Sequence, residues 1–195
     1  MIERTLVLIK PDAVQRSLIG NILSRFERCG LKFVGMKLVT ADSQTVKKHY
    51  DFDDDWYTTV GKTRKENYTK QGIDSDKNER ELGLEVYQGL VDFLVMSPIV
   101  AIVIEGHNAV SHVRKLVGQT SPKDSPPGTI RGDYSFDTYE LANHSNRSLY
   151  NIIHASSSCD DAAKEISLWF TPDEIHTWKR IDEVILYDGL DKKKV

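Results

Sequence analysis

Residues 4–9 are apolar and rich in β-branched side chains, which predicts a buried strand. Pro11-Asp12 stops that strand and opens a helix. Its apolar positions Val14, Leu18, Ile22, Leu23 and Phe26 fall on one face, and Gly30 ends it. Residues 32–40 read as a second strand, and Asp42 or Ser43 caps a short helix running to Tyr50. The pattern then changes. Residues 51–80 are rich in Asp, Lys, Thr and Asn and poor in aliphatics, with Trp56, Tyr57 and Tyr68 as the anchors that argue against a disordered linker. Helical spacing returns over 81–96, with Leu82, Val86, Leu90, Phe93 and Leu94 on one side. Residues 98–105 predict a strongly apolar third strand, and His107–Leu116 a helix closed by Gly118. Residues 119–133 form a loop punctuated by Pro and Gly, too long for an idle connection. Residues 151–154 read as the fourth strand, and 159–169 as a last long helix with Ala162, Ala163, Ile166 and Trp169 inward.

The order β-α-β-α(α)-β-α-β-α is that of a ferredoxin-like α/β sandwich, although other α+β sandwiches share it. The 195 residues, 39% hydrophobic and 28% charged, suit one domain with a proper core. A net charge of −3 implies no strongly basic nucleic-acid face. Cys29 and Cys159 have no metal-ligand spacing and read as buried free thiols in a reducing cytoplasm. The N-terminus carries no basic leader followed by a long apolar region, and no stretch reaches transmembrane length. Lys192-Lys193-Lys194 reads as a solvated tail.

The candidate chemistry centres on Asn151-Ile152-Ile153-His154-Ala155-Ser156, with Glu165 eleven residues beyond the His in a helical run. A His at the end of a short apolar strand, with a hydroxyl and a carboxylate in reach, is a candidate nucleophile. The chain has no G-x-x-x-x-G-K-[ST] loop, so phosphate binding would have to come from side chains. By residue type alone, Arg114 also reads as a surface helix residue, Thr120 as a turn residue, Arg131 as a loop-to-core tether, and Lys10 as a Lys snorkelling outward. Asn151 also reads as a strand-edge cap, and Tyr50 as a half-buried Tyr with its hydroxyl at the surface.

Six segments in order narrow these alternatives: Lys10-Pro11-Asp12, His49-Tyr50, Arg114 to Thr120, Gly128-Thr129-Ile130-Arg131-Gly132-Asp133, Asn151 to Ser156, and Glu165. Together they resemble nucleoside diphosphate kinase from about residue 3 to about residue 180. The resemblance implies an antiparallel four-stranded sheet covered by helices, within a single domain over 1–195. It implies ping-pong transfer of a γ-phosphate from ATP to a nucleoside diphosphate through phosphohistidine on His154. Glu165 would orient the imidazole or Ser156, and the family phosphorylates Nδ1. Lys10, Arg114, Thr120 and Arg131 would hold the phosphates, Lys10 and Asn151 the ribose, and Tyr50 would point toward the phosphate and the His. Mg²⁺ would be held mainly by the nucleotide, with no metal ligands from the protein. The resemblance further implies a homo-oligomer, tetramer or hexamer, in the cytoplasm, with no membrane and no specific nucleic acid as partner.

The resemblance leaves out two segments, about 51–86 and 136–148. The first is expected beside the nucleotide entrance as a mobile polar cover. The apolar clamp on the base falls to Trp56, Tyr57, Val86 or Tyr87. The second brings Tyr139, His144 and Arg147 near the active strand. Ser157 stands where many relatives carry an acidic residue, and Arg131-Gly132-Asp133 belongs to the phosphate loop and is no adhesion motif. Two rivals are a non-catalytic nucleotide-binding relative and a nucleic-acid binder on the same scaffold. Retained His154, Lys10, Arg131 and Glu165 argue against the first, and the lack of a basic surface against the second.

Overall fold

The computed structural model describes residues 2–187, so the Lys192–Lys194 tail lies outside the described residues. The chain runs β1 (Ile2–Ile9), α1 (Pro11–Gln15), α2 (Ile19–Arg28), β2 (Lys32–Val39), α3 (Ser43–His49), α4 (Asp54–Gln71) and α5 (Glu79–Val95). It continues through β3 (Ile99–His107), α6 (Ala109–Val117), α7 (Ile130–Tyr134), α8 (Tyr139–His144), β4 (Ile153–Ala155), α9 (Cys159–Trp169) and α10 (Glu183–Leu186). The sheet order is β2-β3-β1-β4, with every neighbouring pair antiparallel. This is the ferredoxin-like α/β fold.

The sheet is buried on both sides, which is why β1 and β3 read as nearly continuous apolar runs. Val7 and Ile9 join the core beneath α2 and α6, with Ile22, Phe26, Val113 and Val117. Leu6 and Leu8 point the other way, to Val46 of α3, Val91 and Leu94 of α5, and Trp169 of α9. Short β4 pairs with β1 so that His154 lies opposite Leu8. The catalytic candidates thus sit where β1 ends and β4 begins.

Several local expectations hold for the physical reason given. Asp42 caps α3, accepting from Gln44 and Thr45 N–H at 2.9 and 3.0 Å. Gly30 and Gly118 end their helices at positive φ, 77° and 91°. Others shift. The single helix expected from Pro11 to Gly30 is two, because Ser17 adopts φ 57° and Leu18 N–H reaches back to Ala13 at 3.0 Å. β3 extends to His107, and α6 starts only at Ala109, after Asn108 turns through φ 48°. Arg131, expected in a loop, lies in the first turn of α7, capped by Thr129. The fourth strand begins at Ile153 instead of residue 151. Ala163 is exposed where an inward side chain was expected, and Cys29 and Cys159 are free but exposed.

The largest departure is the polar stretch after Tyr50. It is an 18-residue helix, α4, laid along α5 as a helical hairpin. Its apolar face is thin, with Gly61 and Tyr68 its buried residues, so the aliphatic count gave little sign of it. The two helices touch through their backbones. A Cβ at Gly61 would lie 1.6 Å from Glu79 O, and one at Gly83 2.0 Å from Tyr57 O. The α5 start is set by a capping box of Asn78 and Glu81. Residues 136–148 hold α8 and an Asp137–Arg147 ion pair at 2.6 Å.

This contact makes a stability prediction. Gly83→Ala should cost roughly 2–3 kcal/mol of overpacking and lower Tm by at least about 5 °C in a calorimetric scan. Gly20→Ala, where an added Cβ meets nothing within 4 Å among the described residues, should be neutral or slightly stabilising. Equal Tm changes for the two variants would contradict the glycine-mediated contact.

Candidate active site

The end of β1 fixes the first functional side chain. Lys10 follows the strand in extended conformation, and Pro11 opens α1 directly behind it. Its ammonium is buried and donates to Asn151 Oδ1 at 2.8 Å. Burial, with repulsion from Arg131 second, lowers its pKa to about 7, against a smaller opposing pull from Asp12.

Opposite it, the chain enters β4 through a strained turn. Ile153 N–H bonds Asn151 O at 2.7 Å around Ile152, which sits at φ 57°. A three-residue turn about a positive φ is the rare form of γ-turn, and a β-branched residue there is unfavourable. Neighbours hold it. Ile152 N–H donates to Asp12 Oδ2 at 3.1 Å, and Ile152 O accepts from Lys10 N–H at 2.9 Å. The Asn151 amide also donates to Thr120 O at 2.9 Å.

Arg131 braces this turn from below. Its Nε donates to Asn151 O at 3.1 Å, NH2 to Ile153 O at 2.6 Å, and NH1 to Gln119 O at 2.8 Å and Gly118 O at 3.3 Å. Four of its five N–H groups therefore hold backbone carbonyls. The tether reading of Arg131 is real in this state, and the side chain lines the cleft as well. Burial, and then the Arg114 charge, lower its pKa to about 10. Arg114 and Thr120 are exposed on the cleft rim. Among the described residues Arg114 makes no salt bridge.

His154 lies within a carboxylate relay. Its Nε2 is 2.9 Å from Glu165 Oε1, and Ser156 Oγ donates to Glu165 Oε2 at 2.5 Å. Ser156 is itself held by Leu6 N–H, which donates to its Oγ at 3.1 Å. The rigid central strand thus orients the imidazole through Ser156 and Glu165. An ionised carboxylate accepts from Nε2–H, which leaves the lone pair on Nδ1. Tyr50 caps α3 and is buried beside the cleft. Burial, with the Glu165 charge behind it, raises its phenol pKa, so the group stays a neutral donor.

These groups line one cleft of about 920 Å³, of a size suited to a nucleotide-sized ligand. Lys10, Tyr50, Arg114, Thr120, Arg131, Asn151, His154 and Glu165 all reach it, whereas Ser156 stays behind the wall. None of Trp56, Tyr57, Val86 and Tyr87 lines it. Phe52 and Leu90 do, and Trp56 stacks on the back of Phe52 at 3.8 Å. Three further residues escaped the sequence reading in function, although their neighbours were noted: His49, Phe52 and Asp12. The sign for each was adjacency to a named residue. Within residues 136–148, Arg147 matters here. It lies over Tyr150 at 4.3 Å, Tyr150 stacks on Phe93 at 4.4 Å, and Lys10 Nζ lies 5.6 Å from the Phe93 ring. Tyr139 and His144 do not line the cleft.

With this geometry in hand, the chain can be set beside known proteins. A family model described as nucleoside diphosphate kinase matches residues 3–57 and 68–175, leaving out 58–67 in the middle of α4 and taking in 136–148. The nucleoside diphosphate kinase of Pyrobaculum aerophilum is 42% identical over 179 residues, covering 89% of this chain and 98% of that protein. A crystal structure of an NDP kinase from the same organism superposes with a TM-score of 0.86 at 40% identity, covering 91% of this chain and 100% of that one. A transition-state mimic of nucleoside-diphosphate kinase from Borrelia burgdorferi, with bound vanadate and ADP, gives a TM-score of 0.76 at 39% identity. It covers 94% of this chain and 96% of that one. Helix α8 and the Asp137–Arg147 pair therefore lie within the matched pattern.

The Arg131 brace predicts a defined loss. Arg131→Lys keeps the charge but forfeits the bonds to four carbonyls, so urea denaturation should register about 2–4 kcal/mol less stability. Stability within about 0.5 kcal/mol of the original would mean that the brace is dispensable.

Proposed function

We propose a mechanism and a set of residue roles from one premise: the chain belongs to the nucleoside diphosphate kinase family, and its activity is that of a nucleoside diphosphate kinase. The observation that carries the reading is the bond between His154 Nε2 and Glu165, which reserves Nδ1 as the ring's nucleophilic nitrogen. In the first half-reaction the Nδ1 lone pair attacks the γ-phosphorus of ATP. The bond from that phosphorus to the bridging oxygen breaks, and the diphosphate leaves with the electron pair. In the second, a terminal phosphate oxygen of the acceptor diphosphate attacks the phosphohistidine, and the P–N bond returns its pair to Nδ1. Glu165 holds Nε2–H throughout and offsets the positive charge that the ring gains on phosphorylation.

Lys10, Arg114 and Thr120 meet the phosphate oxygens, and Arg131 adds its one uncommitted N–H. Tyr50 donates its neutral hydroxyl toward the transferring group. Asn151 and Lys10 serve the ribose hydroxyls, already joined to each other at 2.8 Å. Phe52 and Leu90 form the apolar wall for the base, a contact that discriminates poorly between bases. Among the described residues the set that could hold a metal is His49, His154 and Glu165. Two imidazoles and one carboxylate suit zinc-like ions and not magnesium. The nucleotide phosphates would therefore hold Mg²⁺, whose chemistry is to bridge and neutralise their oxygens.

The chain is further read as one domain that assembles as a tetramer or hexamer. Exposed Met36 and Leu38 on edge strand β2, and Ile181, Val184 and Ile185 around α10, support self-association. No helix among the described residues is long and apolar enough to cross a membrane, and two exposed free thiols fit a reducing cytoplasm.

Incubation with γ-labelled ATP should give an acid-labile, base-stable phosphoenzyme, and His154→Ala should give none while still binding nucleotide. Labelling that survives in His154→Ala would move the nucleophile elsewhere.

Lys10 gives a pH signature. With a pKa of about 7 in the free protein it is mostly neutral at pH 8. Phosphate beside it favours the charged form, so nucleotide binding at pH 8 should take up close to one proton at Lys10. At pH 6 the ammonium is already charged, and that uptake disappears. Calorimetry in buffers of differing ionisation heat, with Lys10→Met subtracted, measures it. Identical proton uptake by the variant at pH 8 would remove Lys10 from phosphate binding.

A further inference from the structure

His49 is absent from the mechanism above, yet it touches its centre. Its side chain is fully buried in the last turn of α3. Its ring meets that of His154 edge-on, with centroids 4.6 Å apart and planes at 80°. Trp169, from the last turn of α9, donates its indole N–H to His49 Nδ1 at 3.2 Å. An indole nitrogen can only donate, so Nδ1 must accept and the single ring proton must sit on Nε2. That Nε2 is buried and has no hydrogen-bond partner among the described residues. An orphaned buried donor is costly and asks for a reason.

The reason lies on the Nδ1 side. Glu165 Oε1 is 3.9 Å from His49 Nδ1 and 2.9 Å from His154 Nε2. Were Nδ1 of His49 protonated, two imidazoles would compete for one carboxylate oxygen. The Trp169 bond removes that competitor. We infer that His49 is a positioning residue, an uncharged imidazole whose tautomer is set by Trp169, which buttresses the His154 ring and leaves Glu165 to His154 alone.

The surroundings agree. The titratable groups facing His49 are His154 from β4, Glu165 from α9, Lys10 from the end of β1 and Tyr50 beside it. Lys48, Asp161 and Lys164 line the same cleft, and α5 presents apolar Val91 and Leu94 to the core it shares with α3. Burial first, then His154 and Lys10, hold the His49 pKa well below the ordinary range. Among the described residues Glu165 is the carboxylate within 4 Å of His49, and Trp169 occupies the nitrogen that faces it. The same bond argues against reading His49, His154 and Glu165 as a metal centre, since a metal on Nδ1 would have to displace the indole.

The inference rests on His154 as the nucleophile. Its test is single-turnover phosphoenzyme formation from γ-labelled ATP at pH 6 and pH 8, in wild type, Trp169→Phe, His49→Gln and the double variant. Phe keeps an aromatic ring but loses the donor. Nδ1 of His49 is then open to a proton shared with Glu165, a competition that grows as pH falls. Trp169→Phe should therefore lose about tenfold or more at pH 6 and no more than about threefold at pH 8. Gln at position 49 accepts from Trp169 and cannot be protonated, so adding Trp169→Phe to His49→Gln should cost less than about threefold at either pH. Loss by one factor at both pH values would reduce Trp169 to packing and overturn the inference. So would an undiminished pH-dependent loss in the His49→Gln background. Imidazole ¹⁵N spectra give the second readout. His49 should keep one neutral tautomer from pH 6 to 8 in wild type and titrate in Trp169→Phe, and a titrating wild-type His49 would overturn the inference. Absence of any wild-type phosphoenzyme would instead fail the nucleophile reading, and the spectra would still decide the state of His49.

Discussion

The rest of the site depends on holding several positive charges in one cleft before any phosphate arrives. Lys10 and Arg131 repel each other, and Arg114 adds to the strain on Arg131. Buried cations of like sign stay together only where something fixes them and satisfies their donors. Here the fixing agents are backbone carbonyls at 118, 119, 151 and 153 together with the Asn151 side chain. The carbonyls at 151 and 153 converge because Ile152 is forced through positive φ, and Ile152 stays there because Asp12 and Lys10 hold its N–H and carbonyl. Strain, brace and charge are therefore one construction. Pulling out any member releases the others, which is why Arg131 both tethers the turn and lines the cleft.

The α4–α5 hairpin and the stretch from α8 to Tyr150 serve the same cleft from opposite sides. The α4–α5 hairpin backs Phe52 with Trp56 and so stiffens the apolar wall where a base would lie. The segment after α7 ends in Arg147, bound by both Asp137 oxygens and stacked on Tyr150, which stacks on Phe93 beneath Lys10. Asp137 Oδ2 also accepts Tyr150 N–H at 2.7 Å, one residue before Asn151. A segment that looks like a surface elaboration thus sets the height of Asn151 and of the lysine it binds.

What the sequence disclosed follows from which interactions are local. Both faces of β1 and β3 are covered, so their residues had to be apolar, and the strands announced themselves. Asp42, Gly30 and Gly118 act within a turn of their own position and were equally plain. Helix α4 was hidden because it packs by glycine contact and presents little aliphatic surface. The break at Ser17 was hidden because a serine took the left-handed role that glycine usually takes. In the site, ordered motifs named most of the polar side chains that line the cleft. They did not name those that act through a partner distant in sequence: Asp12 on Ile152, 140 residues away, or Trp169 on His49, 120 away. Phe52, only two residues from Tyr50, lines the cleft but was passed over because an apolar wall was sought further along the chain.

The cationic cleft also bears on its histidines. A field that attracts phosphate disfavours a proton on any imidazole beside it, and Lys10 acts on His49 in that sense. Glu165 works in the opposite direction, and an unguarded carboxylate between two histidines would draw a proton onto one or both. The carboxylate is instead fully engaged, by Ser156 on one oxygen and His154 on the other, while the indole closes the remaining approach from His49. One negative charge serves one ring, and the His154 nitrogen turned away from Glu165 is left to the cleft that Lys10, Arg114 and Arg131 line.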